Sequence, residues 1–341
     1  MNVTIDRWWV AVAVGLASAG AQANTYRIVD LGAKMYATGI DAKGEIAGVK
    51  LWQEHSRHEK TRALAYGGGK WRQEPSHHKD ATAAAISKGS VAGNIGDSPV
   101  VWVHHGEPMR IALPDSSRIG SAKGINSSGD VAGNYQTRFG GDDHCFVWSY
   151  ATGISQDLGL LNEGDRCEAA SIDNRGRVYG HVTSHPGYHW FAFVWHEGHM
   201  HRLPPLLPGG TSMAIAGNKD GDVVGWSYGV DYGDSYDQHA VIWRNGVVED
   251  LAPVEGLRTV AYGISDEGTI VGQGYDYGSD GDHREALRFV PGGQYVKLYT
   301  EVIHPEGWDL LSATGVSPDG AIVGWGVRSD GKLHGYMLIP Q

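Results

Sequence analysis

A twelve-residue pattern, seen at 261–272 as Ala-Tyr-Gly-Ile-Ser-Asp-Glu-Gly-Thr-Ile-Val-Gly, recurs through the chain and limits its folds more than any other feature. It reads as a β-hairpin. An apolar run closes at Ile264, a polar turn ends on Gly268, and a β-rich run leads to Gly272. A turn of this length pairs a type I bend with a glycine at positive φ, where a Cβ carries a steric cost. Seven copies align on an opening alanine (Ala37, Ala83, Ala122, Ala169, Ala214, Ala261, Ala313) and a turn glycine (Gly44, Gly89, Gly129, Gly176, Gly221, Gly268, Gly320). A closing glycine follows each turn: Gly48, Gly93, Gly133, Gly180, Gly225, Gly272 and Gly324. Between the two glycines stands a β-branched residue: Ile46, Val91, Val131, Val178, Val223, Ile270 or Ile322. Seven such matches exceed composition noise even in a chain with 50 glycines.

Between hairpins lies a second strand pair. After Gly225 come a polar segment, an apolar strand at 240–243, a turn through Asn245 and Gly246, and a strand at 247–251. The third-strand pattern recurs at 63–66, 100–103, 145–148, 192–195, 286–289 and 335–338, and its partner at 70–74, 109–113, 155–158, 200–203 and 294–298. Four short strands in a period of roughly 45 residues mark a β-propeller blade. The seventh unit stops after its third strand, whereas 26–31 carries the fourth-strand pattern ahead of the first hairpin. The expected fold is therefore all-β: a seven-bladed β-propeller of four-stranded blades whose N-terminal strand closes the last blade, with a six- or eight-fold toroid as the alternative. Closure removes an open sheet edge. With strands lettered a to d from the axis outward, the a–b and c–d turns share one face and the b–c and d–a loops the other. Small residues in strands a and b suit the crowded axis; the Trp and Phe of strand c suit packing between blades.

The strand motif His144-Cys145-Phe146, His239-Ala240-Val241 and His334-Gly335-Tyr336, with the Gly-Ile-Asn-x-x-Gly hairpin at 124–129, resembles the HAF repeats of predicted extracellular bacterial proteins. The resemblance covers nearly all of the chain after residue 23, although Arg62, Pro99, Phe191 and Glu285 replace the histidine in four blades. It implies secretion and a repeat fold, and brings no catalytic residues.

Residues 1–23 read as a secretory signal peptide: Arg7, an apolar run at 8–16, then small residues ending Ala21-Gln22-Ala23. An uncleaved anchor or a leader without structure is the alternative. Residues 24–341 then form a single propeller domain, secreted or periplasmic and expected to be monomeric. The formal charge of -11 disfavours nucleic acid and anionic lipid as partners, and no membrane insertion is expected beyond the leader. Two cysteines, Cys145 and Cys167, fall on one face of adjacent blades and in an oxidising compartment form a disulfide; two buried thiols are the alternative.

The b–c loops vary most in length, and variable loops on a rigid scaffold are where function concentrates. Two neighbours, 226–237 and 273–283, mix tyrosines, carboxylates and glycines. Their rings, Trp226, Tyr228, Tyr232, Tyr236, Tyr275 and Tyr277, are candidate stacking surfaces for sugars. Asp231, Asp234 and Asp237, or Asp276, Asp280 and Asp282, are candidate oxygen ligands for Ca2+, although their spacing matches no EF-hand loop. The bland reading is solvated loops. Gly225-Trp226-Ser227-Tyr228-Gly229 has the form of a nucleophile elbow, but a strand running on without a helix cannot expose the serine as that turn does. His196, His199 and His201 have a candidate Zn2+ grouping without an evident fourth ligand. The pairs His77-His78 and His104-His105 are weaker, because adjacent strand side chains point to opposite faces. The expectation is a secreted, non-catalytic propeller that binds an extracellular glycan or protein through its b–c face. A propeller hydrolase or lyase at the axial mouth, and a structural surface protein, are the alternatives.

Overall fold

The computed structural model describes residues 25–52, 60–76, 80–137, 143–162, 165–184, 189–231, 236–253, 257–278, 281–290 and 292–341. Seven antiparallel sheets follow one another along the chain, each ordered a-b-c-d. Blade 1 comprises Met35–Ile40, Ile46–Trp52, Lys60–Gly67 and Lys70–Gln73. Blade 2 comprises Ala81–Ser87, Ser90–Ile95, Ser98–Trp102 and Pro108–Arg110. Blade 3 comprises Gly120–Ile125, Val131–Gln136, Asp143–Trp148 and Ser155–Asp157. Blade 4 comprises Arg166–Ile172, Val178–Thr183, Trp190–His196 and His199–Arg202. Blade 5 comprises Ser212–Gly217, Val223–Asp231, Tyr236–Arg244 and Val247–Asp250. Blade 6 comprises Arg258–Ile264, Ile270–Gly278, Gly281–Val290 and Gln294–Lys297. Blade 7 takes Trp308–Val316, Ile322–Arg328 and Leu333–Pro340 from the C-terminal end and Tyr26–Ala33 from the N-terminal end. The last two pair antiparallel, Ile28 opposite Leu338, so the ring closes as the sequence predicts. Blade 7 gains a fifth, two-residue strand, Val302–Ile303, parallel to Tyr26 and Arg27.

Each a–b hairpin turns on its glycine, at φ between +74° and +95° in all seven blades. In most blades a short polar side chain sets the turn from inside: Asp173 Oδ1, for example, accepts the N–H groups of Arg175 and Arg177, both at 2.9 Å. Blade 2 is one residue shorter, and Lys88 and Gly89 make a two-residue turn with both φ positive, the twist a tight hairpin favours.

The closing glycine answers a different demand. Strand a bulges after its opening alanine in every blade, as between Ala261 and Gly263. The bulge drives a strand-a carbonyl against strand b. In six blades a Cβ on the closing glycine would lie 1.9–2.1 Å from the carbonyl oxygen of the residue before the alanine, Val260 in blade 6. The bulged residue itself points into the axis.

Blades are joined through strand c. The indoles of Trp102 and Trp243 are buried and donate to the carbonyls of Pro75 and Pro204, in the segments entering blades 2 and 5. The N–H of Ala192 donates to Ser212 Oγ on the next blade, and Ala240 N–H to Thr259 Oγ1. Cys145 and Cys167 hold the corresponding positions of blades 3 and 4, and there the link is a disulfide with a Cα–Cα distance of 5.4 Å.

The strand-c histidines are structural. His144, His239 and His334 each bond through Nδ1 to an aspartate on strand d of their own blade: Asp157 at 2.9 Å, Asp250 at 2.6 Å and Asp30 at 2.9 Å. In other blades the pair changes chemistry and keeps its place: Glu285 with Lys297 at 2.7 Å, Arg62 with Gln73 at 3.3 Å, and Phe191 beneath the Arg202 guanidinium at 3.5 Å. In blade 7 the pair spans the closure. Burial would raise the Asp30 carboxyl, but hydrogen bonds from His334, the Gly32 N–H and Arg328 outweigh it and hold Asp30 below the usual carboxylate range.

Gly272→Ala is expected to cost about 3 kcal/mol or more, because a methyl would be driven into backbone. Gly268→Ala, where a Cβ meets nothing within 4 Å, should cost only the left-handed strain, about 1 kcal/mol; thermal unfolding of the two variants checks the order. Replacing Cys145 and Cys167 by Ser should remove about 3 kcal/mol on the chain-entropy account of a loop this long, read as a lower midpoint in denaturant.

Candidate functional site

At the b–c end of blades 4 to 6 the chain departs from the expected loops. The segments entering 226–237 and 273–283 continue as strands, with Tyr228 opposite Gln238 and Tyr275 opposite Arg284, out to Gly278 opposite Gly281. Extending the hairpins pairs backbone groups that an irregular loop would leave to water. Of the candidate rings, Trp226 is buried at 6% exposure, packed 5.3 Å from the half-buried Tyr228. The Tyr275 hydroxyl donates to Gln238 Oε1 at 2.7 Å, tying the hairpins of blades 5 and 6 together. Asp231, Tyr236, Asp237, Asp276, Tyr277 and Asp282 lie on these strands with their side chains outside the described residues, and Tyr232, Asp234 and Asp280 lie outside them altogether.

Trp190, not among the candidate rings, reaches solvent beside Trp226. Trp190 opens strand c of blade 4, is 37% exposed, and lies 5.7 Å from Trp226 on the next blade and 4.7 Å from His181 beneath it. Trp190, Trp226 and Tyr228 thus form an aromatic ladder with a wet upper rung, a surface suited to the apolar face of a sugar ring. A signal was available: the residue before the strand-c histidine position is Thr61, Ser98, Asp143, Gln238, Arg284 or Leu333 in sister blades, and aromatic only at Trp190.

His181 underlies this ladder at the position after the closing glycine, where blades 2 and 3 have Asn94 and Asn134. Those asparagines accept the N–H groups of Ala122 and Ala169 on the following blade at 3.0 Å and 2.7 Å. His181 is buried and its Nδ1 has no partner. Burial pushes its pKa down to about 4, so the ring stays neutral under Trp190.

Other sequence candidates separate. Ser227 of the Gly-x-Ser-x-Gly stretch is fully buried in mid-strand, donating to the Thr211 carbonyl and accepting the Leu206 N–H, which is a packing role. His199 and His201 are exposed on strand d of blade 4 with ring centroids 6.4 Å apart. His105 pairs with Glu74 at 2.8 Å, and His77 and His78 lie outside the described residues.

A second concavity runs down the axis. Its b–c compartment, about 600 Å³, is lined by the seven bulged residues, one per blade: Thr38, Ala84, Lys123, Ala170, Ile215, Tyr262 and Thr314. Below them Ile40, Ile86, Ile125, Ile172, Ile264 and Val316 form a girdle shared with a compartment of about 590 Å³ among the a–b turns. Blade 5 contributes Gly217 to the girdle, because the Tyr179 ring would stand 2.4 Å from a Cβ there. The sequence signal for the lining was the residue after each opening alanine, where Lys123 and Tyr262 interrupt a run of small or aliphatic side chains.

This geometry is similar to that of the β-propeller domain of the Trilobed protease from Pyrococcus furiosus, at 11% identity over 92% of this chain and 95% of that one, with a TM-score of 0.61. It is similar also to a catalytically inactive virginiamycin B lyase from Staphylococcus aureus (14% identity, 92% and 100% covered, TM-score 0.56) and to the Pyrococcus horikoshii acylaminoacyl peptidase (11% identity, 90% and 51% covered, TM-score 0.60). At these identities the likeness is one of fold alone. No family model and no curated protein sequence matches the chain.

Because unfolded His181 titrates near 6.5 and the folded ring near 4, the unfolded chain takes up a proton first as pH falls. This contribution to stability is complete above about 6.5 and is lost between there and about 4, on the order of 3 kcal/mol in all. His181→Asn is expected to flatten that part of the stability–pH curve in denaturant titrations.

Proposed function

We propose that this chain is a secreted HAF-repeat β-propeller that binds an extracellular glycan on its b–c face. The observation that carries the reading is the exposed Trp190 ring packed at a tilt against the buried Trp226, itself packed on the half-buried Tyr228. A flat ring already fixed by neighbours loses little freedom on binding, so its contact with a sugar face is not offset by ordering. The hairpins of blades 5 and 6 extend the same face and carry the remaining tyrosines and carboxylates of the sequence reading.

Several features support delivery outside the cytoplasm: the leader pattern at 1–23, and an inter-blade disulfide of the kind that persists in oxidising compartments. No helix among the described residues is long and apolar enough to cross a membrane.

The purified secreted protein is expected to retain a subset of glycans on a broad array. Trp190→Ala should weaken those signals at least about tenfold while the protein stays folded at the assay temperature, with Ca2+ or EDTA separating any metal requirement. An array with no retained glycan, or retention indifferent to Trp190, would sink the glycan reading and turn attention to a protein partner.

A further inference from the structure

We propose that the b–c compartment of the axial lumen is a second binding site, for a small ring compound bearing a carboxylate, held by Lys123 and Tyr262. Seven bulged residues line this space, and the fold itself explains five of them. Thr38 and Thr314 turn their hydroxyls to the next blade, donating to the carbonyls of Ala83 at 3.0 Å and Ala37 at 2.7 Å. Ala84, Ala170 and Ile215 are inert wall. Blades therefore meet equally well with Ala, Thr or Ile at this position, and nothing in the ring requires a lysine or a tyrosine there.

Lys123 is exposed to the lumen and engaged in no hydrogen bond or ion pair among the described residues. Arg284 reaches the same compartment from strand c of blade 6. Although the chain carries a formal charge of -11, no acid stands beside Lys123 in the described lining. A cation on a wall that is otherwise largely hydrocarbon favours an anion, and the sheltered setting strengthens the attraction relative to bulk water.

Ring recognition rests on separate groups. Trp325 and Tyr36 meet edge to face at 5.6 Å on the same wall, and the half-buried Tyr262 adds a third ring. Burial raises the Tyr262 phenol, which keeps its proton to donate to an oxyanion. A volume near 600 Å³ lies within the range of small-molecule pockets and accepts one six-membered ring with substituents.

The test is calorimetric titration of the full secreted protein with glucuronate and benzoate, against glucose, benzyl alcohol and inorganic phosphate. At least one ring acid is expected to bind, at least ten times more tightly than its neutral counterpart. Lys123→Thr places in blade 3 the residue that blades 1 and 7 already carry, so folding should be unaffected while binding falls at least tenfold; Lys123→Arg should retain it. Trp190→Ala should leave this binding intact, which separates the site from the glycan face. Equal binding of acids and neutral analogues, binding of phosphate alone, indifference to Lys123→Thr, or no binding of either acid would each overturn the proposal.

Discussion

Six of the seven blades depend on one close approach: the bulged backbone of strand a driven against a glycine of strand b. No side chain fits between them, as the Cβ distance of 1.9 Å from Gly272 to the Val260 carbonyl shows. The bulge rotates the next residues of strand a out of simple alternation. The first points into the lumen. The second is small and touches the neighbouring blade: Gly263 faces Gly315 across one junction, and Gly315 faces Gly39 across the closure. The third joins the girdle. One local constraint, repeated around the ring, thereby sets the radius of the axis and the identity of what lines it.

Outward from the axis the repeat tolerates exchange so long as each contact keeps its place. The link from strand c to the next strand a is a hydrogen bond to Ser212 or Thr259 at two junctions and a disulfide at a third. The pair between strands c and d is His with Asp in three blades and Glu with Lys, Arg with Gln, or Phe with Arg in others. These pairs are partly exposed and individually modest, so their value is in register. They hold strand d, the outermost and least covered strand, against strand c. In blade 7 the same pair joins chain ends more than 300 residues apart in sequence, with Arg328 adding a second bond to Asp30.

The residues proposed to carry function stand where the repeat is broken. His181 replaces an inter-blade asparagine, Trp190 replaces a polar residue, and Lys123 and Tyr262 replace small ones. Each substitution leaves the framework intact, since sister blades show that the fold does not require it. The aromatic ladder and the lumen lining are therefore independent departures from one pattern.

The fold was legible in the chain because hairpins are local: turn glycine, β-branched residue and closing glycine lie within a dozen positions, and the fourth-strand pattern at 26–31, set against a seventh unit of three strands, implied closure. The disulfide was legible for the same reason, once strand order put both cysteines on one face. The site was only partly so. Aromatic and acidic residues marked the b–c ends of blades 5 and 6, but Trp226 turned out to be packing, and the exposed ring above it belongs to blade 4. Which ring is buried depends on the neighbouring blade, a contact made at long sequence separation that no local pattern records. The lumen was hidden for the same physical reason. Lys123 and Tyr262 are single residues in separate hairpins, and only the curvature of seven packed blades turns their bulges toward a common axis.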